Sequence, residues 1–190
     1  MKKPVIGFAM CGSFCTFSKA FEGLEELLRE GYEVLPIMSQ TAYETDTRFG
    51  KAEDHVRRLS ELCGRPVIHT IAQAEPIGPK KMVDLMAVVP CTGNTMAKLS
   101  CAITDTPVTM AVKSALRVGT PVLLCLATND ALAGSAQNIG RLLNTKHMYI
   151  VPFTQDDPEE KPTSLVSDFK LLTPAIQAAL NGVQLQPLLR

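Results

Sequence analysis

The sequence predicts a single-domain α/β fold, in which helices cover both faces of a doubly wound parallel sheet of about six strands. Short apolar runs alternate with amphipathic helical patterns along the chain, which is typical of such sheets. The runs are apolar throughout, as expected for strands that are buried on both faces. The length of 190 residues suits one domain over 1–190.

The strands are predicted from five strong apolar runs and a weaker one at 66–69. The strong runs lie at 4–10, 32–38, 83–89, 121–127 and 148–152. Pro36 cannot donate a ladder hydrogen bond, so the second strand is predicted to be bulged or at an edge of the sheet. For the same reason, the central strand is predicted to end at Pro90. Rossmann-like and flavodoxin-like sheets bind ligands at the carboxyl ends of their strands.

The segments between these runs have helical spacing. The first helix is predicted to bury Phe17, Phe21 and Leu24 and to close at Gly31. Further helices are predicted at 51–63, after Pro107, and at about 165–180. The segment 152–163 has the composition of a loop, and it is expected to be a lid, a subunit contact or a mobile surface loop.

The composition argues against several classes of function. Nineteen basic residues balance nineteen acidic ones, so no long-range field favours nucleic acid or an anionic membrane. No apolar run approaches the roughly 18 residues of a membrane span. The run after Lys2 and Lys3 is short and contains Pro and Gly, so we interpret it as the first strand and not as a signal peptide. We therefore expect a cytoplasmic protein.

The six cysteines are expected to be reduced, and those in or beside apolar segments are expected to be thiols in the core. Cys63, Cys91, Cys101 and Cys125 lie in or beside apolar segments of a chain that is large enough to fold without disulfides. No Cys-x-x-Cys pair or His/Cys spacing matches a zinc site. We expect no structural metal.

The leading candidate site is the polar turn after the central strand. It contains Thr92, Gly93, Asn94 and Thr95, at a junction where helix N–H groups lack intrahelical partners. Such a junction can receive an anion or the polar edge of a cofactor. Alternatively, Thr92 or Asn94 simply caps the helix.

Polar turns also follow the first and fifth strands. Gly12 is the only glycine in the first turn, so a dinucleotide fingerprint is absent. Gly12 and Ser13 still suit a monophosphate, although Ser13 can equally be a cap. The turn after the fifth strand contains Asn129. Because these turns share the carboxyl edge of the sheet, they predict a pocket for a small ligand.

The loop after the second strand is expected to face the same pocket. It begins at Ser39 and contains Arg48, whose guanidinium fork matches a carboxylate or a phosphate. The alternative is an Arg48 that pairs with Glu44 or Asp46 at the surface.

Several motifs in one order resemble the dipicolinate synthase B subunits, a group within the flavoprotein superfamily. The superfamily also includes the FMN-dependent cysteine decarboxylases of coenzyme A and lantibiotic synthesis. The resemblance runs from about Pro4 to Leu189. Its motifs are Gly12-Ser13-x-Cys15-Thr16, Thr47-Arg48-Phe49-Gly50, Glu75-Pro76-x-Gly78-Pro79-Lys80, Thr92-Gly93-Asn94-Thr95-Met96-Ala97-Lys98, Thr128-Asn129-Asp130-Ala131-Leu132 and Val151-Pro152-Phe153-x-Gln155-Asp156.

The resemblance implies an oxidoreductase subunit that acts in the mother cell of a sporulating bacterium. Together with its partner, the dipicolinate synthase A subunit, it would oxidise dihydrodipicolinate, a small dicarboxylate, to dipicolinic acid, the calcium chelator of the spore core. The partner would carry the NADP or NAD. Relatives in the superfamily form trimers or larger shells, so a homo-oligomer is expected.

The resemblance also implies roles for residues of the site. Gly12, Ser13 and Ser39 would hold an FMN phosphate. Thr92, Asn94 and Thr95 would reach the ribityl chain or the isoalloxazine edge. Gly93 and Asn129 are also predicted to bind the cofactor. A further hypothesis comes from the polar clustering at the strand ends: Arg48 would pair with a substrate carboxylate, and Asn94 and Asn129 would orient the ring. No residue is assigned a catalytic role.

Two departures from the superfamily pattern keep alternatives open. Decarboxylases have an active-site His shortly before the central strand, where this chain has Ile77-Gly78-Pro79. Their Pro-x-Met-Asn turn is replaced by Ala127-Thr128-Asn129, which keeps only the Asn. The alternatives are a noncatalytic partner that stabilises the A subunit of the synthase, or a decarboxylase-like flavoprotein.

Overall fold

The computed structural model, which describes residues 3–190, confirms the predicted α/β fold. Its mostly parallel sheet contains seven strands in the order β2-β1-β3-β4-β7-β6, with β5 also paired to β4. The strands are β1 (Val5–Met10), β2 (Glu33–Met38), β3 (Leu85–Cys91), β4 (Val122–Thr128), β5 (Met148–Ile150), β6 (Phe153–Asp157) and β7 (Lys161–Ser167).

Eight helices connect and cover these strands within the described residues. They are α1 (Phe17–Arg29), α2 (Gln40–Glu44), α3 (Ala52–Cys63), α4 (Ile71–Ala74), α5 (Gly93–Ser100), α6 (Pro107–Arg117), α7 (Ala136–Leu143) and α8 (Leu172–Leu180). None of them is long and apolar enough to cross a membrane.

Successive residues of each central strand enter different cores. Phe8 of β1 packs with Leu24 of α1 and Ile176 of α8 on one face. Ala9, the next residue, packs on the other face with Val112 of α6. Because side chains alternate along a strand, only an apolar run can fill both cores.

The second strand lies at the predicted edge. β2 pairs in parallel with β1, and its outer side makes one isolated bridge between Ile37 and Ile68. That bridge is all that forms of the weaker strand predicted at 66–69. The sequence predicts that β3 ends at Pro90. The strand instead continues to Cys91, after a register shift in its pairing with β4.

The predicted loop at 152–163 is instead largely an antiparallel hairpin of β6 and β7. β7 then pairs with Ala127 and Thr128 at the end of β4. The predicted start of the last helix is therefore too early, since Leu165 belongs to β7 and α8 begins at Leu172. The hairpin places its own residues beside the carboxyl edge of the sheet.

Candidate functional site

A cavity of about 1010 Å³ opens at the carboxyl ends of β1, β3 and β4. Several polar turns and the hairpin form its walls. Its lining residues are Gly12, Ser13, Phe14, Cys15, Thr16, Lys19, Arg48, Phe49, Thr92, Gly93, Asn94, Ala127, Thr128, Asn129, Asp130, Asp156, Lys161, Ser164, Leu165 and Val166. The structure thus brings all the predicted site residues to one cavity except Ser39 and Thr95.

The first wall is a short 3₁₀ turn, Phe14–Thr16, which joins β1 to α1. The backbone amide of Ser13 donates to the carbonyl of Cys11 at 2.8 Å, and the Thr16 hydroxyl donates to the Ser13 carbonyl at 2.8 Å. The Ser13 hydroxyl makes no capping bond, and Cys15 Sγ lies 3.9 Å from it. This hydroxyl is therefore available to a ligand in the cavity.

The second wall is the N-terminus of α5. Thr92 is its N-cap, and the hydroxyl accepts from the backbone amide of Thr95 at 3.3 Å. The Thr95 hydroxyl donates to Cys11 Sγ at 3.2 Å, in the core. The amides of Gly93 and Asn94 are in the first helical turn, where no intrahelical carbonyl reaches them.

The third wall is a polar cluster around Asp130. Its carboxylate accepts from the Thr128 hydroxyl at 2.6 Å and from the Ser135 hydroxyl at 3.0 Å. A Cβ at Gly93 would lie 2.7 Å from Thr128 Oγ1 and 2.8 Å from Asp130 Oδ1. Glycine at 93 therefore lets α5 approach this cluster. The carbonyl of Asn129 accepts from the Thr163 hydroxyl at 2.6 Å, which ties the turn to the hairpin.

The cationic side chains of Lys19, Arg48 and Lys161 line the cavity. Lys161 Nζ pairs with Asp156 Oδ2 at 2.8 Å, and this contact raises the pKa of Lys161. Among the residues that the structure describes, no carboxylate is within ion-pair distance of Lys19 or Arg48. The Arg48 guanidinium instead lies 4.9 Å from the centre of the Phe49 ring. Its charge is thus available to an anionic ligand.

Ser39 and Thr95 have structural partners outside the cavity. Ser39 is buried and caps α2, accepting from the amide of Ala42 at 3.2 Å. Thr95 is also buried, between Thr92 and Cys11. The Thr92 hydroxyl is also engaged, since it caps α5 and donates to the Thr95 hydroxyl at 3.1 Å. We propose that these hydroxyls support the turns, and that the Ser13 hydroxyl and the amides of Gly93 and Asn94 reach the ligand.

Substitution of Ser13 and of Ser39 should have different effects on ligand affinity and on stability. Ser13→Ala should weaken the binding of a phosphate-bearing ligand about 10-fold, the loss expected for one charge-assisted hydrogen bond. Ser39→Ala should leave that affinity unchanged and lower the free energy of unfolding by about 1 kcal/mol, as for other lost N-caps. Equilibrium ligand titration and urea unfolding of both variants measure this. Weaker binding by Ser39→Ala without a stability loss would contradict the assignment.

Several lining residues were not predicted as site residues. Lys19 lies four residues after Cys15, which is about one helical turn. That spacing places the two side chains on the same face, so it could have indicated that Lys19 also faces the cavity. Lys161, Ser164 and Leu165 reach the cavity because β7 folds back against β4. No local pattern around them indicates that long-range pairing.

The lining fits the chemically different parts of FMN. The Ser13 hydroxyl, the adjacent amides and Lys19 suit a phosphate. The amides of Asn94 and Asn129 suit hydroxyls and ring edges. Nearby apolar side chains, which include Phe14 and Leu165, suit a flat ring.

The buried thiols contribute no nucleophile to the cavity. Burial raises the pKa of Cys11 to about 11 and that of Cys91 well above its usual value. All six cysteines are free, but Cys101 is exposed, so its predicted core position is wrong. In the described part of the chain, no group of three or more His, Cys, Asp or Glu side chains could hold a metal ion.

Comparisons with known proteins identify the family of this chain. The flavoprotein family matches residues 1–174. The dipicolinate synthase B subunit of Bacillus subtilis (strain 168) is 44% identical over 189 residues, covering 100% of this chain and 94% of the relative. The crystal structure of the dipicolinate synthase B subunit from Bacillus halodurans has a TM-score of 0.90 at 40% identity, covering 98% of this chain and 96% of that one.

A more distant structure shares the fold alone. Burkholderia xenovorans DmrB, a cubic protein cage for redox transfer solved in complex with FMN, has a TM-score of 0.68 at 18% identity. The match covers 94% of this chain and 96% of that one.

Proposed function

Because this chain belongs to the flavoprotein family, we propose that it is the FMN-binding B subunit of a dipicolinate synthase. Together with the A subunit, which carries NADP or NAD, it oxidises dihydrodipicolinate to dipicolinate in the mother cell cytoplasm of a sporulating bacterium. The observation that carries the proposal is the single cavity into which Ser13, Arg48, Asn94 and Asn129 converge.

Each wall of the cavity has a role in this proposal. Gly12 and Ser13 hold the phosphate, and the turn from Thr92 to Asn94 holds the ribityl chain or the ring edge. FMN, when bound, supplies an acceptor for the electrons that leave a dihydropyridine as it becomes aromatic. Arg48 binds a carboxylate of the substrate in two-point geometry, and Asn129 orients the ring.

We also propose a homo-oligomer. DmrB, which shares the fold, is described as a cubic cage. The hairpin forms part of the cavity wall, and the apolar side chains of Phe49 and Leu132 are exposed. The hairpin at 152–163 is the proposed lid or subunit contact.

A second candidate function is that of a noncatalytic partner, which would only stabilise the A subunit. Ile77-Gly78-Pro79, which replaces the decarboxylase His, does not line the cavity. The Gly78 amide donates to Ser114 Oγ of α6 at 2.8 Å, so this segment packs against a helix. The same observation disfavours a decarboxylase-like activity.

A visible absorption spectrum of the purified protein, with mass analysis of the released ligand, tests the main proposal. We expect flavin absorbance, or its appearance after addition of FMN, and a released mass equal to that of FMN. Reconstitution with dihydrodipicolinate and the A subunit then measures turnover. An A subunit that works at full rate without this chain would exclude a required role, whereas a rate that needs this chain but tolerates cavity mutations would favour the noncatalytic partner.

A further inference from the structure

The turn that carries Arg48 rests on a histidine. Thr47 and Gly50 exchange two backbone hydrogen bonds of 3.0 and 3.1 Å, which close a tight turn with Arg48 and Phe49 at its tip. The amide of Ala52 donates to Asp46 Oδ1 at 2.8 Å and ties the base of the turn to α3. His55 follows in the first turn of that helix.

The His55 ring fills the space beneath Gly50. A Cβ at Gly50 would lie 2.8 Å from His55 Nε2, so the ring and the turn are already in close contact. Gly50 has a φ of +137°, a conformation that L side chains rarely adopt. The ring also packs edge-on to Phe17 at 5.0 Å and nearly parallel to Phe21 at 6.2 Å. The turn therefore has little freedom while the ring stays in place.

His55 Nε2 is buried and has no hydrogen-bond partner among the residues that the structure describes. A neutral ring can leave this nitrogen as an unprotonated acceptor, at the cost of one missing bond. A protonated ring would bury a positive charge beside Gly50, a cost that the main chain of Phe49 offsets only in part. Water does not reach this nitrogen while the turn is closed over it.

The charges around the ring come from each element that packs on it. On α3, Asp54 raises the pKa of His55 and Arg58 lowers it. Arg58 lies 4.3 Å from the centre of the Phe21 ring of α1 and pairs with Glu25 at 2.9 Å. The turn contributes the main chain of Phe49, which raises the pKa of His55. The turn also carries Arg48 at its tip, and it is preceded by Asp46, whose carboxylate accepts from the amide of Ala52.

Desolvation is the largest effect, and it lowers the pKa of His55 from its ordinary value of 6.5. In the unfolded or opened state the ring is solvated and takes a proton first as the pH falls. The closed turn is therefore favoured above pH 6.5 and loses stability as the pH falls from there toward the lowered pKa.

We propose that His55 is a positioning residue for Arg48, that its neutral ring supports the Thr47–Gly50 turn against the cavity, and that protonation releases the turn. The proposal depends on the proposed function for one point only, namely that Arg48 in this turn binds a carboxylate of the ligand. By reciprocity, a dicarboxylate held by Arg48 must make His55 harder to protonate.

A fluorescent reporter on the turn tests this directly. The chain contains no tryptophan, and Phe49 is 45% exposed, so Phe49→Trp introduces a single reporter beside Arg48. We expect its emission to change with pH at a midpoint below about 6.5. His55→Phe in the same background should abolish the change and keep the turn closed. His69→Gln, the matched control, should leave it intact.

Nuclear magnetic resonance of the wild-type chain gives a second measurement. Of the three histidine signals, the one lost in His55→Phe should titrate with the same midpoint as the reporter. Pyridine-2,6-dicarboxylate should move both midpoints to lower pH. A His55 that titrates normally, or reporter emission that stays constant through its titration, would overturn the proposal. If the midpoints agree but the dicarboxylate does not shift them, the positioning role stands and the assigned ligand of Arg48 fails.

Discussion

Arg48→Ala should weaken dicarboxylate binding about 10- to 100-fold, because it removes a charge-assisted, two-point contact with a carboxylate. Within the described residues the guanidinium has no ion-pair partner, so the substitution breaks no salt bridge of the fold. The loss should therefore be seen in KM and ligand affinity, with little change in the free energy of unfolding. Titration with pyridine-2,6-dicarboxylate measures the affinity, turnover in the reconstituted synthase measures KM, and urea unfolding measures the stability.

Arg48→Lys separates charge from geometry. A lysine keeps the charge but not the planar fork, so it should restore only part of the lost affinity. The matched control is Arg57→Ala on α3, which removes an exposed arginine that pairs with Asp54 outside the cavity. It should behave as wild type in the binding and turnover assays. Equal affinity in wild type and Arg48→Ala would refute the carboxylate role.

The parallel part of the fold could be predicted because burial on both faces requires continuous apolar runs. β1 and β3 sit in the middle of the sheet, and their residues alternate between two cores. The hairpin could not be predicted in this way. β6 exposes Thr154, Gln155 and Asp156, and it is held by main-chain pairing to β7. Such pairing leaves no hydrophobic period in the sequence.

The site was predictable where a turn directly follows a strand. Parallel strands place their carboxyl ends together, so the turns that contain Ser13, Thr92 and Asn129 had to meet. Their side-chain directions were not predictable, because a hydroxyl at such a junction can cap the helix or face the ligand. Thr95 faces the core and bonds Cys11, whereas the Ser13 hydroxyl remains in the cavity. That choice depends on neighbours from other strands.

Gly78→Ala should cause the largest stability loss among the substitutions considered. Gly78 has ordinary helical backbone angles, so its role is steric. A Cβ would lie 1.8 Å from the carbonyl oxygen of Ser114, which belongs to the backbone of α6. The segment must move away from α6, which opens the core at the buried Ile77 and strains the Gly78 bond to Ser114. We expect a loss of about 3 kcal/mol in the free energy of unfolding, at the upper end for overpacking.

The same substitution elsewhere in the chain provides the control. Gly140 lies inside α7, and a Cβ there would meet nothing within 4 Å. Gly140→Ala should therefore stabilise the protein by about 0.5–1 kcal/mol, through helix propensity alone. Thermal unfolding without added ligand should show a fall of about 6–12 °C for Gly78→Ala and a small rise for Gly140→Ala. If both variants melt near the wild-type temperature, then Gly78 is not packed against Ser114 of α6. The contact that holds the segment before β3 away from the cavity would then be incorrect.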